Sequence, residues 1–181
     1  PAMATGTSPT AAPTTIATAS VIIAGWWRPM VGLSWQWQLH GSPIDQSFDV
    51  DVYDIDLFEN DADVVARLHA SGRKVICYIS AGSWEEFRPD RGNFPPEILG
   101  KEYVGYPGER WLDIRRIDLL APIMRGRLDQ CAEKGFDAVE PDNVDGYEND
   151  TGFPLTAADQ LTYNIWLAGE AHPRGHSIGL K

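Results

Sequence analysis

Short apolar runs alternate with amphipathic helical stretches through most of the chain, and this alternation restricts the possible folds more than any other feature. The clearest run, Lys74–Ser80, reads KVICYIS and is almost continuously apolar, as expected of a parallel strand covered on both faces. Strands are predicted at residues 35–39, 48–55, 74–80, 111–114, 136–143 and 177–180. Helices are predicted after Asp61 or Asp63, over residues 117–134 and from Thr156. The sequence therefore predicts repeated βα units around a parallel sheet.

The ends of the predicted helices carry residues that stop or cap a helix. Gly72 and Gly135 follow the first and second helices. The backbone at such positions often adopts the left-handed conformation, which glycine tolerates best. Thr156 and Asp159 have the spacing of a capping box, with the shorter Asp where Glu or Gln is usual. These signals support the predicted boundaries.

Six predicted strands are fewer than the eight of a closed barrel, which typically needs about 250 residues. We therefore expect an α/β fold of the (β/α)8 TIM-barrel type, truncated after about six strands. An open, doubly wound sheet has the same βα alternation and stays an alternative. A chain of 181 residues is enough for one compact domain, which we place at residues 25–181, after an Ala/Thr/Pro-rich linker at residues 1–24.

The charge balance narrows the classes of partner. With 15 basic and 26 acidic side chains the formal net charge is -11, so the molecule repels nucleic acid and attracts cations. No apolar run approaches the roughly 20 residues that span a bilayer. The low-complexity linker is typical of a segment that joins a domain to its export signal, so we expect a secreted or cell-surface protein.

The sequence contains no pattern for metal, nucleotide or serine-hydrolase chemistry. Cys77 and Cys131 each lack a second ligand at zinc-site spacing, and whether they form a disulfide stays open. The four histidines have no spacing typical of a metal site or a catalytic triad. A Gly-rich phosphate loop and a Gly-x-Ser-x-Gly elbow are both missing from the sequence.

Polar residues gather where the predicted strands end, which is where parallel β/α folds place their sites. These residues are Asp54, Asp56, Tyr78, Ser80, Asp113, Glu140, Asp142, Asn143, Asp145 and Lys181. Glu140 and Asp142 are two residues apart and so share one side of an extended strand. Neighbouring carboxylates in a cleft raise one another's pKa, so one can act as an acid while the other stays ionised. Asp beside Pro is also a common turn residue, and loop packing is the more ordinary role for a residue such as Trp84.

Five segments of the chain resemble a known enzyme family. They are WQWQL at 35–39, VYDIDLF at 52–58, VICYISAG at 75–82, GFDAVEPDNVDGY at 135–147 and SIGLK at 177–181. Through these segments, from about Trp27 to the end, the chain resembles glycoside hydrolase family 114, the endo-α-1,4-polygalactosaminidases. The resemblance implies a (β/α)8 barrel, secretion, no metal or other cofactor, and endo-cleavage of galactosamine-containing α-1,4-linked polysaccharide with retention of configuration.

The same resemblance implies roles for single residues. By motif, the nucleophilic Asp falls on Asp142, and the acid/base Glu is expected on a strand after the sixth, beyond Lys181. The residues expected to position the sugar are Asp54, Tyr78, Trp84, Asn143, Asp145 and Lys181. A retaining mechanism needs two carboxyl groups about 5 Å apart. Glu140 is a poor substitute for the missing partner, because in barrels the two groups usually come from different strands.

Two other functions stay open from the sequence alone. One is a non-catalytic barrel that binds polysaccharide, and the other is a hydrolase of other α-galactose-type glycosides. The acidic composition favours a cationic or partly acetylated galactosamine polymer, because carboxylates bind ammonium groups by charge-assisted hydrogen bonds. The carboxylates expected to line such a cleft are Asp54, Asp56, Asp113 and Asp145.

Overall fold

The computed structural model describes residues 25–179 and residue 181. The predicted linker at residues 1–24 lies outside the described residues. In chain order the elements are β1 (Trp35–Gln38), β2 (Val52–Asp56), α1 (Ala62–Ala70), β3 (Lys74–Ser80), β4 (Ser83–Glu85), β5 (Leu99–Glu102), β6 (Glu109–Leu112), α2 (Ile117–Lys134), β7 (Ala138–Asp142), α3 (Ala157–Ala171) and β8 (Ser177–Ile178). Strands β1, β2, β3, β7 and β8 form one parallel sheet in that order.

The three helices of the described residues contact one face of the parallel sheet and each other, which distinguishes the two candidate architectures. The main apolar core lies between that face and the helices, and joins Tyr53 and Ile55 of β2, Leu68 of α1, Leu128 of α2 and Ala171 of α3. A doubly wound sheet carries helices on both faces. The arrangement is therefore of barrel type, as predicted, and we call the sheet face opposite the helices the inner face.

The predicted strand at residues 111–114 is the main error in the predicted topology. Strand β6 covers Glu109–Leu112 and pairs antiparallel with β4 and β5, so it forms a separate three-stranded sheet. The other two strands of this sheet, β4 and β5, lie between residues 81 and 110, where the sequence predicts neither a strand nor a helix. The paired residues of this sheet lie from 8 positions apart, at Glu102 and Arg110, to 28 positions apart, at Ser83 and Trp111, along a Gly- and Pro-rich stretch, so no local periodicity marks the strands.

Most other local predictions are confirmed. Strand β3 has the predicted bounds, whereas β2 begins at Val52, four residues later than expected. The side chain of Asp61 caps α1, Gly135 ends α2 with a φ of 86°, and Thr156 and Asp159 form the predicted capping box at α3. Cys77 and Cys131, whose pairing the sequence left open, form a disulfide that joins β3 to α2.

Two further findings concern the part of the chain that the structure describes. None of its helices is long and apolar enough to cross a membrane. It also contains no group of three or more His, Cys, Asp and Glu side chains arranged to hold a metal ion.

Candidate active site

The inner face of the sheet carries polar side chains near the C-terminal ends of its strands. Successive side chains of a strand point to opposite faces. Residues of β2, β3 and β7 that alternate with the apolar core positions therefore point to the inner face, and they are Asp54, Asp56, Tyr78, Ser80, Glu140 and Asp142. Parallel strands end at the same edge, so the strand order brings carboxyl groups from distant parts of the chain together.

Asp142, the last residue of β7, is held by two hydrogen bonds and one ion pair. The Tyr78 hydroxyl donates to its Oδ2 at 2.7 Å, and the Lys181 ammonium lies 3.2 Å from the same oxygen. The backbone N–H of Asn143 donates to Oδ1 at 2.8 Å. A carboxylate has about four acceptor sites. These three contacts therefore fix the orientation of the carboxylate and leave an acceptor site for a reacting group.

Tyr78 acts on Asp142 as a permanent donor. Burial raises the pKa of its hydroxyl strongly, and the negative charge of the adjacent Asp142 raises it further. The hydroxyl therefore keeps its proton through the whole neutral range, and the hydrogen bond to Asp142 does not change direction with pH.

The turn after β7 is built from a left-handed residue against a glycine. Asn143 has a φ of 61°, a conformation that Asn tolerates better than most side chains. Its amide nitrogen donates to the hydroxyl oxygens of Ser80 and Ser83, both at 2.9 Å. A Cβ at Gly82 would lie 1.7 Å from the Asn143 carbonyl oxygen, so only glycine fits there. This close packing holds Asp142 at the C-terminal edge of the inner face.

A cavity of about 630 Å³ opens over Asp142. Its walls come from β1, from the end of β3 and from the small antiparallel sheet, and they include Trp37, Phe87 and Tyr106. These three rings are 47%, 55% and 55% exposed, although large apolar groups are usually buried. A volume of this size holds a small ligand, and exposed amphipathic rings are suited to the flat faces of sugars.

Two glutamates of the small sheet face the same cavity, and they are directly opposite each other on β4 and β6. Glu85 accepts a hydrogen bond from Arg88 at 2.8 Å, which balances its charge. Glu109 accepts one from the Ser83 hydroxyl at 3.0 Å. Burial is the largest influence on the Glu109 carboxyl, and with the charges of Glu85 and Asp142 it raises the pKa above its ordinary value.

Lys181 is the cation of the site. Its ammonium lies 4.3 Å from the centre of the Trp37 ring and 5.1 Å from that of Tyr78. It also lies 3.9 Å from Glu140, besides its closer contact with Asp142. Lys181 therefore joins the carboxylates of β7 to the aromatic wall on β1.

The sequence model of glycoside hydrolase family GH114 matches residues 16–181. The chain belongs to glycoside hydrolase family 114. Membership confirms the family that the five segments predicted. A comparison with curated proteins finds no match.

Two solved structures place this GH114 chain among known folds. The chain shares 49% sequence identity with Aspergillus fumigatus Ega3. The crystal structure of Ega3 in complex with galactosamine covers 85% of this chain and superposes with a TM-score of 0.83. The glycoside hydrolase domain of Pseudomonas aeruginosa PelA is 12% identical over 82% of this chain, with a TM-score of 0.58, and so shares the fold. The chain spans 61% of the Ega3 chain and 58% of the PelA chain.

The structure brings four of the predicted GH114 site residues together at the cavity, and they are Asp142, Tyr78, Asn143 and Lys181. Three others do not line it. The Trp84 indole donates to the Arg91 carbonyl at 3.0 Å and packs against a second apolar cluster, which includes Phe94 and Leu112. Asp145 is exposed on the following turn. Asp54 is buried deeper on the inner face, beside Glu140.

Two other carboxylates predicted to line the cleft are engaged in ion pairs. Asp56 forms a buried pair with Arg88 at 2.6 Å and accepts from the backbone N–H of Phe58. Asp113 pairs with Arg115 at 2.7 Å and does not line the cavity over Asp142. Protein cations therefore neutralise both carboxylates, Asp56 at the end of β2 and Asp113 just after β6.

Sequence reasoning missed the cavity residues contributed by the small sheet. They are Glu85, Tyr103, Tyr106 and Glu109, and all four lie between residues 81 and 110, where the sequence predicts neither a strand nor a helix. The length of this segment at a strand's C-terminal end was the available signal, since long loops there are usually functional. Trp37 stood within one of the family-like segments, where its alternation with Gln36 and Gln38 placed it on one face of β1.

Proposed function

We propose that this chain forms part of an endo-acting glycoside hydrolase that cleaves galactosamine-containing α-1,4-linked polysaccharide with retention of configuration. The observation that carries the proposal is the position of Asp142, fixed by Tyr78 and Lys181 at the mouth of the cavity in a GH114 chain. The galactosamine bound in the Ega3 structure supports this class of substrate.

Asp142 is the proposed nucleophile. In the first step, an Asp142 oxygen forms a bond to the anomeric carbon while the bond from that carbon to the leaving oxygen breaks. The leaving oxygen takes a proton from an acid/base Glu, which we place on a strand after β8. In the second step, a water gives its proton to that Glu and attacks the anomeric carbon, which releases Asp142.

Tyr78, Lys181 and Asn143 are proposed to prepare this attack. Their donors hold the carboxylate in one orientation before the sugar arrives, and fixed groups of this kind avoid reorganisation during the reaction. After Asp142 has bonded to the sugar, the positive charge of Lys181 is balanced by Glu140, which lies 3.9 Å away.

The walls of the cavity fit a cationic or partly acetylated polymer. Trp37 and Tyr106 offer exposed rings on which sugar faces can stack. Glu85 and Glu109 provide carboxyl groups that bind ammonium groups by charge-assisted hydrogen bonds. Trp84 and Asp145 contact no part of this cavity, so we give them no role in binding. The proposed site of action is extracellular, because the Ala/Thr/Pro-rich composition of residues 1–24 is typical of a linker in an exported protein.

The test compares Asp142→Asn with Asp145→Asn in the intact protein. Both variants remove one carboxylate from the same segment, but only Asp142 lines the cavity. With α-1,4-linked polygalactosamine, new reducing ends should fall by roughly a thousandfold or more in Asp142→Asn and stay near the parent rate in Asp145→Asn.

Other outcomes would reassign the function. Saturable binding of the polymer by the parent protein without new reducing ends would support a non-catalytic binding barrel. Faster cleavage of other α-galactosides than of polygalactosamine would identify those glycosides as the substrates instead. Full activity in Asp142→Asn would exclude this residue as the nucleophile.

A further inference from the structure

Two carboxyl groups lie close together on the inner face, deeper than Asp142. They are Asp54 on β2 and Glu140 on β7, which are within hydrogen-bonding contact and line a second cavity of about 260 Å³. Asp54 is only 2% exposed. Among the described residues, Asp54 Oδ1 and Glu140 Oε2 are buried oxygens with no hydrogen-bond donor.

Two ionised carboxylates in this position would be strongly unfavourable. Each oxygen would accept nothing from the protein, and the two negative charges would repel each other in a medium of low polarity. A buried acceptor without a donor costs about 1–3 kcal/mol and more when it is charged. A single proton between the two oxygens removes both penalties at once, since one carboxyl becomes a donor to the other.

The surrounding charges do not remove this requirement. The titratable groups that face the pair are Tyr78 on β3, Asp142 on β7 and Lys181 after β8. Strand β1 contributes Trp35 and Trp37, which carry no charge. Lys181 is thus one cation among three carboxyl groups, and it lies closer to Asp142 than to Glu140. Burial, followed by the charge of Glu140, raises the pKa of Asp54 from its ordinary 3.8 to about 9.

We propose that Asp54 and Glu140 hold one proton between them, so that the pair carries a single negative charge and leaves Lys181 in contact with Asp142. Asp54 and Glu140 are then positioning residues that act on Asp142 through Lys181. The shared proton is independent of the proposed function, whereas its consequence for catalysis rests on that function. Loss of the proton would draw Lys181 towards Glu140 and away from Asp142.

The first test measures thermal stability against pH for the parent, Asp54→Asn and Asp49→Asn. Asn has the shape of a protonated Asp and can still donate to Glu140, whereas Asp49 is an exposed control. A folded-state pKa above the unfolded value stabilises the fold fully below the unfolded pKa, and this stabilisation is lost as pH rises through the folded pKa. The melting temperature of Asp54→Asn should therefore rise relative to the parent between about pH 4 and pH 9. A difference that is constant across this range would overturn the proposal.

The second test needs neither substrate nor turnover. At neutral pH, the infrared spectrum of the parent should contain the C=O stretch of a protonated carboxylic acid, and the band should be lost in Asp54→Asn and Glu140→Gln. It should persist in Asp142→Asn. Absence of the band from the parent, or its survival in both pair variants, would overturn the shared proton.

The two proposals fail separately. A protein that keeps the infrared band but cleaves no polysaccharide refutes the function and leaves the proton in place. A protein that cleaves polygalactosamine without the band refutes the shared proton alone. In an active protein, the alkaline limb of kcat/KM should move to higher pH in Asp54→Asn, because Asn cannot ionise.

Discussion

Tyr78 is the side chain that orients the carboxylate of Asp142 most directly. Its hydroxyl is 2.7 Å from Asp142 Oδ2, and burial raises its pKa, so it stays a donor through the neutral range. It was predicted as a sugar-positioning residue from the family-like segment around β3. Its contact with Asp142 adds a second role, because a donor to the nucleophile fixes the direction from which that group approaches the sugar.

Replacing Tyr78 by Phe should lower kcat/KM by roughly 10- to 100-fold, because a hydrogen bond to a charged group contributes about 1.5–3 kcal/mol. The change keeps the ring, so the cation–π contact with Lys181 and the packing of β3 stay intact. Initial-rate kinetics on polygalactosamine measure the effect. Tyr147→Phe, at a partly exposed ring outside the cavity, is the control and should change little. Unchanged kinetics in Tyr78→Phe would mean that the hydroxyl does not orient Asp142.

The close approach of Gly82 to Asn143 is the contact between elements on which the site geometry depends. It joins the end of β3 to the turn after β7, and the Asp142 carbonyl accepts from the N–H groups of Ala81 and Gly82. Any side chain at position 82 must push these two strand ends apart. The position of Asp142 therefore depends on a residue that carries no chemistry of its own.

Gly82→Ala should destabilise the fold by about 1–3 kcal/mol, because the added Cβ would overlap the Asn143 carbonyl oxygen. Urea unfolding measures the free energy. Gly126→Ala is the matched control, since it lies within α2 with open space around it and should stabilise the helix by about 0.5–1 kcal/mol. Equal stability of the Gly82→Ala variant and the parent would contradict the described packing at this turn.

The elements that the sequence predicts well are those whose signals are local. Strand β3 has a continuous apolar run, and the caps at Asp61, Gly135 and Thr156 are set by one or two residues each. The small antiparallel sheet has no such signal, because its strands are defined by partners far along the chain. The sequence therefore predicts residue 111 in the parallel sheet, whereas its strand belongs to the antiparallel one.

The candidate site likewise contains residues that the sequence predicts and residues that it does not. Asp142, Asn143 and Lys181 stand in segments that resemble the family, so their place at the cavity could be predicted. Glu109 and Tyr106 reach it only because the small sheet folds over the strand ends. Asp54 was expected to contact sugar, whereas the register of β2 against β3 and β7 places it deeper, beside Glu140. Such depths follow from register and pleat, which sequence alone does not fix.

The charge of the whole molecule predicts how binding depends on salt. A formal net charge of -11 attracts a polymer of ammonium groups, and salt screens this attraction over about 10 Å at 0.1 M ionic strength. KM for polygalactosamine should therefore rise several-fold from low to high salt, while KM for the fully acetylated polymer should stay nearly constant. Equal salt dependence for both polymers would show that charge does not guide substrate selection.

The role of Asp142 as nucleophile is tested most directly by identifying the residue that becomes bonded to the sugar. The intact protein would be treated with a fluorinated galactosamine-type glycoside that forms a slowly hydrolysed covalent adduct, then digested and analysed by mass spectrometry. We expect the sugar on Asp142, and no adduct in Asp142→Asn. A sugar on Glu140, Asp145 or Glu109, or an adduct that survives in Asp142→Asn, would contradict this role.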